Sequence, residues 1–218
     1  MLFRSREAEY VTTLGLMAGT AGKIGSEMYT LMKQEFREAG EPVPAGTVGS
    51  STMPQKRNPI MAQDIRASAA QVRALVPLAL ESMMTEHEAD RTTTVMMRSA
   101  LGPACIHMGN ILARLVVVAE GMWVDEQRMA KNLELTDGMI LAEAIMLELG
   151  KTHGRQVAHD LVYDAVEAVN ASGGHFAETL AGDERIRAEL DESAIKALLD
   201  PSVYTGLCGV MAHQQAEL

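Results

Sequence analysis

The segment Gly49-Ser50-Ser51-Thr52-Met53-Pro54-Gln55-Lys56-Arg57-Asn58-Pro59 carries the side chains best suited to chemistry. A serine moves a proton when nearby cations and backbone N–H donors depress its pKa. Lys56 supplies positive charge for the enediolate-like intermediate formed when a proton leaves carbon next to a carboxylate. Asn58 offers an amide that orients a carboxylate oxygen, and Arg57 adds positive field. Gly49 permits unusual dihedrals, while Pro54 and Pro59 stiffen the chain. Read from residue types alone, the segment also fits a solvated Ser/Pro loop with two incidental cations.

The elements that must position this loop are helices. From Arg6 to about Glu38 apolar residues recur at helical spacing (Tyr10, Leu14, Met17, Ala21, Met28, Leu31), so one long helix is expected. Glycines 15, 19, 22 and 25 weaken that helix in isolation but let a neighbouring backbone approach. Residues 40–59 lose the period and form a long loop. The period returns over 60–84, with Ile65, Ala69, Val72 and Leu75 on one side, breaks over 85–94, and resumes over 100–122. Shorter helices are expected at 137–149, 154–169, 175–180, 183–190 and 192–199, with Asp183 and Asp191 as caps of the last two. An amphipathic stretch over 204–218 follows. Sustained period-two alternation is absent, so no sheet is assigned. The expected fold class is all-α: part of a long-helix bundle over residues 1–122, carrying the loop at 40–59, and a helical C-terminal domain over 123–218.

Composition narrows the function classes. Hydrophobic residues at 47% and charged residues at 22% are the balance of a globular protein, and 4% aromatics with 16 Met leave packing to Leu, Met, Ala, Ile and Val. A net charge of -10 without a local basic patch argues against nucleic acid as a partner. An anionic substrate then requires positive charge gathered at the site. The lack of a long uncharged apolar run argues against a membrane span, and the N-terminus lacks a signal-peptide core. Cys105 and Cys208 sit apart in apolar contexts, which reads as buried free thiols in a cytoplasmic protein.

The order of residues in 49–59 resembles the GSSxMPxKxNP signature of the fumarase/aspartase superfamily, with every fixed position matched. Further segments are similar to the adenylosuccinate lyase and 3-carboxy-cis,cis-muconate cycloisomerase branch: Gly121-Met-Trp-Val-Asp125, Thr136-Asp-Gly-Met-Ile-Leu-Ala-Glu143, Gly154-Arg-Gln-Val-Ala-His159 and Leu198-Leu-Asp-Pro-Ser-Val-Tyr-Thr-Gly206. The cycloisomerase-like branch fits the C-terminal segments slightly better. The resemblance implies β-elimination or cycloisomerisation of a small polycarboxylate, without cofactor, in a homo-oligomer that is typically a tetramer with sites built from several subunits. It implies Ser50 as the general base, with Lys56 and Asn58 holding the carboxylate and its aci-carboxylate intermediate. Ser51, Thr52, Met53, Gln55 and Arg57 would line the substrate.

Two departures qualify it. Adenylosuccinate lyases carry a His-Glu-Arg-Asp run after the signature helix, where this chain has Glu86-His87-Glu88-Ala89-Asp90-Arg91, so a purine nucleotide substrate is disfavoured. His87 and Arg91 stay as candidate site residues beside the reading of a solvated turn. Superfamily members are also about twice as long. The expectation is therefore that an N-terminal half, with the general acid, is missing, either because the chain is a fragment or because a separate polypeptide supplies the rest, and that this chain alone turns over poorly. An adenylosuccinate-lyase-like C–N lyase and a non-catalytic helical assembly module are the alternatives.

Among the remaining candidates, His107 reads as a hydrogen-bonded core histidine and Arg66 as a salt-bridging residue. His153, His159, His175 and His213 read as surface or packing residues. No His/Cys/Asp/Glu spacing fits a metal, so none is expected.

Overall fold

The computed structural model describes residues 3–43, 46, 52–53, 56–87 and 90–217. Contacts divide the chain into two units, Met1–Arg128 and Met129–Leu218. The boundary expected from the sequence lies after residue 122.

Three long helices build the first unit: α1 (Phe3–Leu31), α2 (Ile60–Glu81) and α3 (Arg91–Gly121). Their shared core takes Val11, Leu14 and Met28 from α1, Ile65 and Val72 from α2, and Met97, Met108 and Ile111 from α3. Alanines fill much of the rest, so the helices approach closely. A Cβ added to Gly15 of α1 would lie 2.6 Å from Val76 Cγ2, and one added to Gly25 would lie 2.9 Å from Ile65 Cγ2 and 3.1 Å from the Ala62 carbonyl oxygen. Gly15, Gly22 and Gly25 thus make the close approach expected of the α1 glycines, while Gly19 has no neighbour within 4 Å.

α1 stops at Leu31, short of the expected end near 38. Arg37 takes a positive φ of 52°, its N–H donates to the Lys33 carbonyl at 2.7 Å, and the Glu38 N–H returns to the Leu31 carbonyl at 3.1 Å. The apolar period does not reveal this left-handed stop.

α3 begins at Arg91, nine residues before the expected start near 100, because Asp90 caps it by accepting the Thr93 N–H at 3.0 Å. That bond holds the Asp90 carboxyl below its ordinary range. Its length and an 18-residue stretch of mean hydropathy 1.5 also match a membrane span by composition, where none was expected, with 22% of that stretch buried. One side packs on α1 and α2, while Val95, Ile106, Leu112, Val116 and Val117 are exposed.

Residues Ala39–Gly40 (β1) and Trp123–Val124 (β2) form a two-residue antiparallel pair, with Ala39 opposite Val124 and Gly40 opposite Trp123. Strands this short leave no alternation in the sequence, and the all-α class stands. α4 (Glu126–Leu133) crosses the boundary between the units.

The second unit packs α5 (Ala142–His153) against α6 (Arg155–Ser172), with α7 (Phe176–Gly182), α8 (Glu184–Arg187) and α9 (Glu192–Leu198) around Phe176, Leu180, Ile186 and Ile195. The helix expected from 137 starts later. Asp137 at φ 50° and Gly138 at φ 89° are left-handed, and a 3₁₀ turn over Met139–Leu141 leads into α5. The expected caps are present: Asp183 accepts from the Arg185 N–H at 2.8 Å and Asp191 from the Ala194 N–H at 2.7 Å. α10 (Cys208–Ala216) closes the chain, and all of residues 201–217 are exposed.

Both cysteines are free, as expected, but exposed rather than buried. Their apolar contexts lie on helix faces turned away from the chain's own core. His107 is half-buried and its side chain makes no hydrogen bond among the described residues, where a hydrogen-bonded core position was expected.

Candidate functional site

Ser50, Ser51 and Gln55 lie outside the described residues. The rest of the signature leads into α2. Thr52, Met53, Lys56 and Arg57 are exposed, and Asn58 is half-buried. The Lys56 N–H donates to the Met53 carbonyl at 3.0 Å, a turn that brings Met53 close to the lysine. The Asn58 carbonyl accepts the Ile60 N–H at 2.9 Å, and the Pro59 carbonyl accepts the Gln63 N–H at 2.9 Å. Asn58 is thus held at the mouth of α2 with Lys56 two residues before it, near the positive end of the helix dipole. Carboxylates are favoured there.

Pro59 stands at the N-cap of α2 and has no side chain able to cap. The cap comes from Glu41, which belongs to no motif in the sequence. Its Oε1 accepts the Met61 N–H at 3.1 Å and its Oε2 the Ala62 N–H at 3.0 Å. Glu41 is only 4% exposed. Two charge-assisted bonds, each worth about 1.5–3 kcal/mol, and the helix dipole offset the cost of burying the carboxylate. In the sequence, a lone Glu twenty residues from its partner gives no signal.

His87 and Arg91 are elsewhere. His87 is exposed at a positive φ of 52° beyond the far end of α2, and Arg91 is the exposed first residue of α3. The 22 residues of α2, at about 1.5 Å each, separate that junction from Asn58 by roughly 33 Å. Within one chain the two groups cannot meet on one substrate.

Arg66 forms no salt bridge among the described residues. Its guanidinium lies 4.7 Å from the centre of the Tyr29 ring, a cation–π contact in place of the expected ion pair. With Lys23, Ser26, Gln63 and Arg73 it lines an open groove of about 730 Å³ between α1 and α2, which none of the described signature residues line. The later histidines have local roles. His153 faces Glu189 at 3.5 Å, His159 stacks on Tyr163, and His175 Nδ1 accepts the Ala177 N–H at 3.3 Å. Among the described residues no group of three His, Cys, Asp or Glu side chains could hold a metal ion.

Comparison with known proteins follows the same division of the chain. Residues 2–74 match the family model described as Lyase, and residues 138–214 match Adenylosuccinate lyase C-terminus. The chain is 38% identical over 205 residues to N-acetyl-S-(2-succino)cysteine lyase of Enterococcus italicus, covering 94% of this chain and 45% of that protein. It is 36% identical over 203 residues to 3-carboxy-cis,cis-muconate cycloisomerase of Pseudomonas aeruginosa, covering 93% and 45%. The crystal structure of 3-carboxy-cis,cis-muconate lactonizing enzyme from Pseudomonas putida superposes with a TM-score of 0.83 at 34% identity, covering 96% of this chain and 46% of that one. The chain thus spans a little under half the length of these relatives. With the signature matched at every fixed position and helices that superpose on a solved member, the chain belongs to the fumarase/aspartase superfamily.

Proposed function

We propose that this chain carries the base and carboxylate-binding loop of a lyase or cycloisomerase acting on a small polycarboxylate. The observation that carries the reading is the intact Ser50/Lys56/Asn58 set of the signature, with Asn58 held at the N-terminus of α2 and Lys56 two residues before it. Ser50, as alkoxide, takes the proton from the carbon next to the substrate carboxylate. The electron pair moves into that carboxylate, giving a doubly charged aci-carboxylate. Lys56, Asn58 and the helix dipole stabilise this charge. The pair then returns to form the C=C bond as the β-substituent leaves with its bonding electrons, and Ser50 ends protonated. Cycloisomerisation runs the same steps with a second carboxylate of the same molecule as the group that adds or leaves.

The relatives' names support the substrate class, since a succino-thioether and a carboxymuconate are both polycarboxylates. The exposed apolar face of α3, with Ile106 at 73% exposure, supports self-association of the chain. An adenylosuccinate-type substrate is the weaker reading, because Ala89 stands where that branch carries an arginine.

The test assays 3-carboxy-cis,cis-muconate consumption and fumarate release from N-acetyl-S-(2-succino)cysteine, comparing the protein with Ser50→Ala. Turnover of either compound that falls at least 100-fold in the variant, with unchanged circular dichroism, supports the reading. Equal rates in the two proteins, or no turnover together with no binding of a nitronate analogue of the aci-carboxylate, overturn it.

A further inference from the structure

Glu41 is a buried carboxylate that the chemistry above does not use. We propose that it is a positioning residue, a post that fixes where the signature loop re-enters α2 and so sets the placement of Lys56 and Asn58. The proposal rests on the functional reading only for its catalytic consequence, since the clamp itself is geometric.

The post is braced on both sides. Before it, Gly40 pairs with Trp123, and a Cβ at Gly40 would overlap the indole, so the ring sits directly on this backbone. After it, Pro42 packs against Gly121, where an added Cβ would lie 2.8 Å from the proline ring. Two residues beyond the Gly40–Trp123 pair the Asp125 N–H donates to the Glu38 carbonyl at 2.8 Å, and Arg128 donates from Nε to the Phe36 carbonyl at 2.9 Å and from Nη2 to the Glu35 carbonyl at 2.7 Å. The backbone around Glu41 is therefore fixed to the C-terminal end of α3 and the turn after it.

From this fixed point both carboxylate oxygens hold the first turn of α2, at Met61 and Ala62. Asn58 is three residues before Met61 and is tied to the same turn through Ile60. The clamp also replaces the capping side chain that Pro59 lacks. A shift of about 1 Å in a reacting group can cost roughly 100-fold in rate, so an anchor this near the site acts on catalysis without touching substrate.

Two readouts test this on the full chain with Glu41→Ala, Glu41→Gln and Ser50→Ala. The first is amide hydrogen exchange, which needs no substrate. Glu41→Ala is expected to speed exchange at least 10-fold at Met61, Ala62 and residues 56–58, while the middle of α1 and α3 keeps its protection. Glu41→Gln, which keeps one acceptor oxygen, is expected to restore part of the protection. Faster exchange at Met61 and Ala62 alone would reduce Glu41 to a helix cap and overturn the positioning role, and faster exchange throughout the first unit would reduce it to general stability.

The second readout is turnover, in which Glu41→Ala is expected to lower kcat at least 10-fold with less change in KM, and Glu41→Gln to recover part of it. If Ser50→Ala abolishes turnover while Glu41→Ala leaves it intact, the positioning role fails and the functional reading stands. If Ser50→Ala has no effect, the functional reading fails, and the exchange data alone decide on the clamp.

Discussion

Arg114 of α3 and Asp64 of α2 form an ion pair in which Nη2 and Nε both reach Oδ2, at 2.8 Å and 3.0 Å. The same guanidinium donates to Asn110, whose amide donates in turn to Ser68 Oγ at 2.9 Å. Asp64 lies six residues after Asn58, so this network holds the second turn of α2 against α3, as Glu41 holds the first. Both partners are partly exposed, at 33% and 44%, which limits the pair to about 0.5–1 kcal/mol. Asp64→Ala is expected to lower stability by about 1 kcal/mol. Arg114→Met should cost a similar amount, and the double variant less than the sum, measured by urea unfolding.

Ile65 is a larger lever. It is 1% exposed, and its Cγ2 fills the space opposite Gly25. Ile65→Ala is expected to cost about 2–5 kcal/mol, read as a lower urea midpoint at unchanged m. A cost below about 1 kcal/mol would mean that α1 and α2 do not pack as described.

Lys56 is exposed and bears little on stability, so its substitution should separate chemistry from folding. Lys56→Met is expected to lower turnover of 3-carboxy-cis,cis-muconate or N-acetyl-S-(2-succino)cysteine by about 100- to 1000-fold, as loss of a donor to developing charge does elsewhere. The melting temperature should stay within error. Lost turnover together with lost stability would point to a structural lysine.

The second unit should show an acid-dependent stability step. Asp183 is held below its ordinary value of 3.8 chiefly by the hydrogen bond from the Arg185 side chain, partly countered by desolvation. A carboxyl with a depressed folded pKa contributes stability that is full above 3.8 and is lost as pH falls through the lower, folded value. Asp183→Asn keeps a capping side chain but cannot titrate. Its unfolding midpoint should therefore depend less steeply on pH below 3.8 than the parent's, in denaturation curves across that range.

The two free thiols report on association. Both are exposed in the single chain, Cys105 on α3 and Cys208 on α10. If copies cover the exposed face of α3, Cys105 should react with N-ethylmaleimide more slowly as protein concentration rises, while Cys208 keeps its rate. Equal, concentration-independent rates would remove Cys105 from any interface.

Residue order alone made the signature and most of the helices legible, though not all of their ends. The apolar period of α2 and α3 follows from burying one stripe per helix, and the caps at Asp183 and Asp191 are local, within three residues of the N–H groups they accept. Residue order alone also marked 49–59, because its chemistry is written in adjacent side chains. Contacts between residues far apart in sequence came from the fold. The two-residue strand pair, the Arg66–Tyr29 contact and the Arg114–Asp64 bridge join positions whose spacing has no period. The same holds for Glu41, whose burial depends on a helix terminus twenty residues later. The separation of His87 from Asn58, by contrast, follows from the helix expected over 60–84, since a rigid helix of 22 residues holds its ends roughly 33 Å apart.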